Sequence, residues 1–165
     1  MEFEIKDEAF VIDGKVIGVD LEVEALKDAL GEPRIQKTEP DKNYREYMEK
    51  RRGKDYFENN MSLVWDNEGI YSHTDDGKTL VSLGLVFDRT HKTALHTPKS
   101  NFSGKLLING EDWLAAIKKG KDMFGNYCKL TVKGFVIFAE YTAEKKPLAE
   151  RTEKDFTLME VTHTY

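Results

Sequence analysis

What this chain lacks sets its first limits. Its 165 residues include one cysteine, Cys128, so no disulfide can close within it, and a reducing cytoplasm is the expected location. No apolar run approaches the ~18 residues that a membrane-spanning helix needs. The first residues, Met1-Glu2-Phe3-Glu4-Ile5-Lys6-Asp7-Glu8, are acidic where a secretory leader is basic, so no signal peptide is expected. Gly-x-Ser-x-Gly, His-Glu-x-x-His, Gly-x-x-x-x-Gly-Lys-Ser/Thr and Cys-x-x-Cys are all absent, which removes the common hydrolase, zinc-protease, phosphate-loop and thiol-redox signatures. Positive charge is not in excess either. Thirty acidic and 25 basic side chains leave a net charge of −5, so nucleic acid and membrane surfaces, which require clustered Lys and Arg, are not expected partners.

What is present suits one folded domain over residues 1–165. Hydrophobic residues make up 39% of the chain and aromatic ones 11%, enough to build a core. The negative excess is local: residues 1–32 carry ten acids and three bases, whereas residues 33–60 carry six acids and eight bases. An acidic surface of this kind keeps a protein soluble, or it steers a basic partner. Glu22, Glu24 and Asp28, on a helix within the acidic stretch, are the candidate contacts on that side.

The hydrophobic pattern gives an α+β class with antiparallel sheets and two main helices. Phe3 and Ile5 alternate with polar residues as a strand. Asp13-Gly14 between apolar triplets marks a two-residue hairpin. Asp20 is the expected N-cap of a helix from 21 that ends at Gly31. A three-strand meander follows from Met61, with Val81, Leu83, Leu85 and Phe87 on its last strand. Further strands are expected at 105–108, 128–132, 135–141 and 156–162, with a second helix over 111–119. The stretch Asp13–Ile17 before the first helix resembles Ser103–Leu107 before the second, an echo of two half-repeats. Helices set between runs of hairpins point to α+β rather than to a parallel βαβ sheet.

Residues 36–60 form a polar insertion. Asp41 is placed to cap a helix over 42–52, with Tyr44, Tyr47 and Met48 on one face and a supportive Glu46–Lys50 pair. Tyr44, Tyr47, Arg51, Arg52 and Tyr56 are the aromatic and guanidinium anchors that a protein interface uses. The same residues also fit a solvated helix face, or a short groove for single-stranded nucleic acid.

Other constellations have structural readings beside the chemical ones. His73-Thr74-Asp75-Asp76 could pair acid and base, but Asp-Asp-Gly is also what a hairpin turn requires. His91 and His96 are spaced for neither a helix face nor a zinc site. Cys128 opens an apolar strand, where a lone cysteine packs as a small hydrophobe. Trp65, ahead of a turn, reads as core. No metal or cofactor is expected.

Several stretches together resemble a family of small bacterial proteins of unknown function. They are Val11-Ile12-Asp13-Gly14-Lys15, Leu30-Gly31-Glu32-Pro33, Trp65-Asp66-Asn67-Glu68-Gly69-Ile70-Tyr71, and Pro98 through Phe102, Gly104-Lys105-Leu106, Ile108, Asn109 and Gly110. The departure from that pattern is the long link at 36–60. By analogy, the resemblance implies an immunity protein that is not an enzyme and neutralises a cognate bacterial toxin by binding it. A small-ligand-binding or enzymatic domain using His73, Asp75 and Asp76, or a carrier of a secreted effector, are the alternatives.

Overall fold

Alternating apolar residues and left-handed turns organise the first sheet. The structure is a computed structural model; it describes residues 1–37, 39–91, 96–123 and 126–164, with His91 described by its backbone alone. Strand β1 (Glu2–Lys6) buries Phe3 and Ile5 and pairs antiparallel with β2 (Ala9–Ile12). Asp13 and Gly14, with φ of +47° and +81°, turn the chain into β3 (Lys15–Gly18). Along its other edge β1 pairs in parallel with β8 (Lys105–Ile108), placing Phe3 beside Leu106 and Ile5 beside Ile108. Asn109 and Gly110, at +47° and +80°, then turn into the short strand β9 (Glu111–Asp112). The strand order is β3-β2-β1-β8-β9, antiparallel except for β1–β8.

These two turns correct the expected internal echo. Asp13-Gly14 matches Asn109-Gly110 in backbone conformation, not Ser103-Gly104. Gly104 is not left-handed; it lies where a Cβ would come within 2.9 Å of the Phe102 ring and 3.0 Å of the Met1 carbonyl. Each turn nevertheless leads through a short strand into a helix, α1 (Val23–Leu30) after the first and α3 (Trp113–Ile117) after the second.

Both helices start later than their patterns predict, because strand-like pairing takes their first residues, and α3 also ends at Ile117, two residues short of the expected Lys119. Leu21 is left-handed (φ +50°) and buried. Its carbonyl accepts from Leu80 N–H, and Val23 N–H donates to the Lys78 carbonyl. Asp20 therefore does not cap α1; Glu22 holds the cap position without a side-chain bond. The exit is as expected, with Gly31 at φ +88° donating to the Lys27 carbonyl. At α3, Glu111 and Asp112 pair with β8, and the Asp112 carboxylate accepts from Leu114 N–H at 3.2 Å.

The second sheet has eight strands, all antiparallel to their neighbours. The meander is β5 (Met61–Trp65), β6 (Ile70–Thr74) and β7 (Ser82–Val86). Val81 stays outside β7 and exposed, while Phe87 leaves the strand to stack on Trp113 at 4.7 Å. Strands β11 (Tyr127–Val132), β12 (Phe135–Tyr141) and β13 (Phe156–His163) follow the predicted positions. Two edge strands, β4 (Arg34–Lys37) and β10 (Lys121–Met123), were not expected, since neither buries a residue. The order is β10-β11-β12-β13-β7-β6-β5-β4, so β13 sits in the middle of the sheet.

One core joins both sheets and the helices. Phe3, Phe10 and Ile108 from the first sheet meet Leu85, Phe135 and Met159 from the second in a single buried cluster, with Leu26 of α1 and Ile117 of α3. Helix α2 (Lys42–Arg52) contributes nothing to it.

Candidate functional site

Helix α2 forms where the sequence places it. The Asp41 carboxylate accepts from Asn43 N–H at 3.3 Å and Tyr44 N–H at 3.2 Å, which satisfies two of the orphaned donors of the first turn. Lys50, Arg51 and Arg52 end the helix, where cations favour the dipole, and Gly53 at φ +100° closes it on the Glu49 carbonyl. The internal ion pair is Arg45–Glu49 at 2.9 Å, in place of the expected Glu46–Lys50. Burial is what sets this helix apart: eleven residues are helical and none is buried.

Its anchoring is light. Phe57, buried just beyond the helix, takes the edge of the Tyr44 ring at 6.0 Å, the Tyr56 ring at 4.7 Å and the Arg45 guanidinium at 5.7 Å. Tyr44 and Tyr47 remain 50% and 53% exposed. Arg51 donates to the Tyr47 hydroxyl and carries its guanidinium 5.3 Å from the Tyr47 ring. The two side chains thus form a preassembled aromatic–guanidinium pair one helical turn apart on the solvent side.

The acidic candidates lie on α1. Glu22, Glu24 and Asp28 are exposed, while the opposite face buries Val23 and Leu26. Glu24 pairs with Lys27 at 3.7 Å, and the Asp28 carbonyl accepts from the Lys15 ammonium at 3.0 Å.

The turn at 75–79 stands between the two sets. On one side it bridges Glu22 through Thr79. On the other, Asp75, Asp76 and Lys78 line an open depression of about 430 Å³ with Arg52, Lys54, Asp55 and Tyr56. Arg52 and Tyr56 are therefore brought against the turn, whereas Tyr44, Tyr47 and Arg51 stand clear of it. The depression has mixed charge, so the acidity of residues 1–32 does not extend across it.

Asp75 and Asp76 of that turn, with His73 on β6 before it, do structural work. The Asp76 Oδ1 accepts from Lys78 N–H at 2.8 Å and Thr79 N–H at 3.0 Å. Those backbone donors, followed by the Thr74 hydroxyl, hold its carboxyl below the usual aspartate range. Asp75 Oδ1 accepts from Asn60 Nδ2 at 3.0 Å and meets His73 Nε2 at 3.1 Å. Among the described residues no group of three His, Cys, Asp or Glu side chains is arranged to hold a metal. The His91–His96 pairing lies partly outside the described residues. Cys128 is fully buried, and burial pushes its thiol up to about 11, far from a nucleophile's range.

Trp65 is core, as its position predicts, and its indole N–H donates to the Gly31 carbonyl at 2.8 Å. Missed at the level of sequence is a concave surface on the outer face of the larger sheet, lined by Tyr127, Phe138, Glu140, Leu158 and Glu160. Only part of it shows in the sequence, where Phe138 and Glu140 alternate with the buried residues of β12.

The arrangement defines a two-sheet α+β protein with an exposed helix. A family model described as a domain of unknown function, DUF7738, matches residues 2–123. The chain belongs to that family. The matched stretch ends before β11, β12 and β13. No curated protein and no solved structure matches the chain. No described helix is long and apolar enough to cross a membrane.

Proposed function

We propose that the protein acts by binding another protein through α2, as an immunity protein that neutralises a cognate bacterial toxin without catalysis. The observation that carries this reading is the unburied helix. Most helical stability in proteins comes from packing an apolar face. Here Tyr47 and Arg51 stand on a capped helix that buries no residue, with Tyr44 half exposed beside Phe57. Tyr and Arg are the residue types on which interface energy concentrates, and a preformed helix reduces the ordering cost of association. The side chains with catalytic potential, His73, Asp75, Asp76 and Cys128, are taken up by turn and core. The exposed carboxylates Glu22, Glu24 and Asp28 add negative charge that speeds encounter with a basic partner.

Co-expression with the product of the adjacent gene tests the proposal. Expected are a stoichiometric complex and rescue from toxicity, both lost when Tyr47→Ala and Arg51→Ala are combined, by at least ~10-fold in affinity. A complex unaffected by the double variant removes α2 from the reading. Binding without rescue replaces neutralisation by a carrier role.

A further inference from the structure

Four strands, β3, β9, β10 and β4, form the outer edges of the two sheets. Strand β9 is two residues long and β10 three, while β4 follows Pro33 and carries Arg34 and Lys37. Short length and charge are what keep native edges from pairing with other chains. Strand β3, Lys15-Val16-Ile17-Gly18, is as long as β4 but lacks that protection. Its one cation is engaged, because the Lys15 ammonium donates to the Asp28 carbonyl of α1 at 3.0 Å. Val16 is 70% exposed, more than any other large apolar side chain among the described residues.

Register decides which backbone groups of β3 face outward. The two-residue turn makes Ile12–Lys15 and Phe10–Ile17 the pairs that exchange hydrogen bonds with β2. Val16 and Gly18 therefore aim their N–H and C=O groups away from β2. The Gly18 carbonyl takes Leu21 N–H at 3.0 Å. That leaves Val16 N–H, Val16 C=O and Gly18 N–H open along the edge.

The outer face beside this edge is cleared for a neighbour. Val16 lies opposite Val11 and Gly18 opposite Ala9, with Phe10, Ile12 and Ile17 buried on the other face. Gly18 is not left-handed, and a Cβ there would meet nothing within 4 Å. Neither conformation nor packing within the chain requires glycine at this position, whereas glycine in a strand is used where another chain approaches. The larger sheet shows such a use: the Tyr71 ring lies across Gly84 on the next strand. Gly18 offers the same clearance to a long side chain on a strand added beside β3.

Charge selects that side chain. Asp20 follows β3 by two residues, and Asp28 stands beside Lys15; both are exposed. Neither carboxylate has a hydrogen bond or ion pair among the described residues. A second copy of the chain would bring the same negative excess to the edge, whereas a basic strand complements it.

We propose that β3 is a docking edge that receives an extended basic segment of a protein partner as a further strand of the smaller sheet, hydrogen-bonded to Val16 and Gly18, with a lysine or arginine stem lying across Gly18. In strand addition the main-chain bonds supply affinity and alternate side chains supply specificity. The inference goes beyond the α2 reading and uses none of its residues.

The test titrates the full chain with a capped peptide of alternating lysine and valine and follows amide chemical shifts. Expected are shifts centred on Lys15–Gly18, with a dissociation constant on the order of millimolar. The same peptide N-methylated along its backbone, or with glutamate in place of lysine, should bind at least ~10-fold more weakly. Val16→Pro removes an N–H that β2 does not use, so the chain should fold and lose the response. Asp20→Asn combined with Asp28→Asn leaves the edge intact and should weaken binding about 3-fold. An equal response to the N-methylated or glutamate peptide, shifts centred on α2 or β4, or silence from the native chain overturns the proposal. So does self-association of the chain alone that Val16→Pro abolishes, since a second copy then occupies the edge. Failure of the adjacent gene product to bind would bear on the α2 reading alone.

Discussion

Arg34 and Asp66 form a forked ion pair, Nε to Oδ2 at 2.9 Å and Nη2 to Oδ1 at 3.1 Å. The pair ties edge strand β4 to the turn after β5. Asp66 Oδ1 also accepts from Lys99 N–H, its carbonyl accepts from the Ser100 hydroxyl at 2.5 Å, and Arg34 donates to the Thr97 carbonyl. One charge pair thus gathers an edge strand, a turn and a crossing loop.

A double-mutant cycle on Arg34→Ala and Asp66→Ala should give a coupling of about 1 kcal/mol, because both side chains remain partly in water. Asp66→Ala alone should cost more than Arg34→Ala, since it strands the Lys99 N–H as well. Denaturant unfolding of the four proteins measures this; a coupling near zero would show the fork to be incidental.

Two glycines are held by close approach. A Cβ on Gly69, which has φ +67°, would overlap the backbone nitrogen of Phe102. Gly69→Ala should therefore destabilise the protein by about 3 kcal/mol or prevent folding. At Gly84 the obstacle is a side chain, the Tyr71 ring. Gly84→Ala should lower the melting temperature, and adding Tyr71→Ala should recover part of the loss, whereas no second substitution of that kind relieves Gly69.

Stability should fall at both ends of the pH scale. Arg34 holds the Asp66 carboxyl below its ordinary value, and backbone donors do the same for Asp76 and Asp155. A carboxyl whose folded-state pKa is depressed stabilises fully above its unfolded value of ~3.9, and the contribution is lost as pH falls through the folded value. The melting temperature should thus drop below about pH 4, less steeply in Asp76→Asn, which keeps the accepting oxygen. Tyr71 and Cys128 are raised, chiefly by burial. Their contribution is intact below their unfolded values and declines as pH climbs above them. Tyr71→Phe should flatten the alkaline limb beyond about pH 10.

Helix α2 should be nearly silent in stability. Tyr47→Ala and Arg51→Ala remove side chains of a helix that buries no residue, so each should shift unfolding by no more than about 0.5 kcal/mol. A loss several times larger would mean that the helix packs on the body of the protein.

The sequence revealed α2 because every signal agreed: an Asp41 cap, a Gly53 stop and cations in the last turn. The meander and β11 to β13 were legible through their apolar alternation. Strand β4 was not, since Arg34-Ile35-Gln36-Lys37 buries nothing and pairs along one edge only. The entry to α1 was misplaced because a left-handed Leu21, held by backbone bonds to residues 78–80, overrides Asp20. The α2 candidates were visible as residue types at helical spacing. The groove of Glu140 and Glu160 was not, because cross-strand register brings its residues together and a single strand does not display it.

Strand β13 lies between β12, the strand just before it in the chain, and β7, made much earlier. During translation, β7 and β12 leave the ribosome without their shared neighbour, and each must keep an unsatisfied backbone edge until Phe156–His163 emerges. A chain cut short before that point would carry two unpaired, adhesive rims where the complete sheet is continuous.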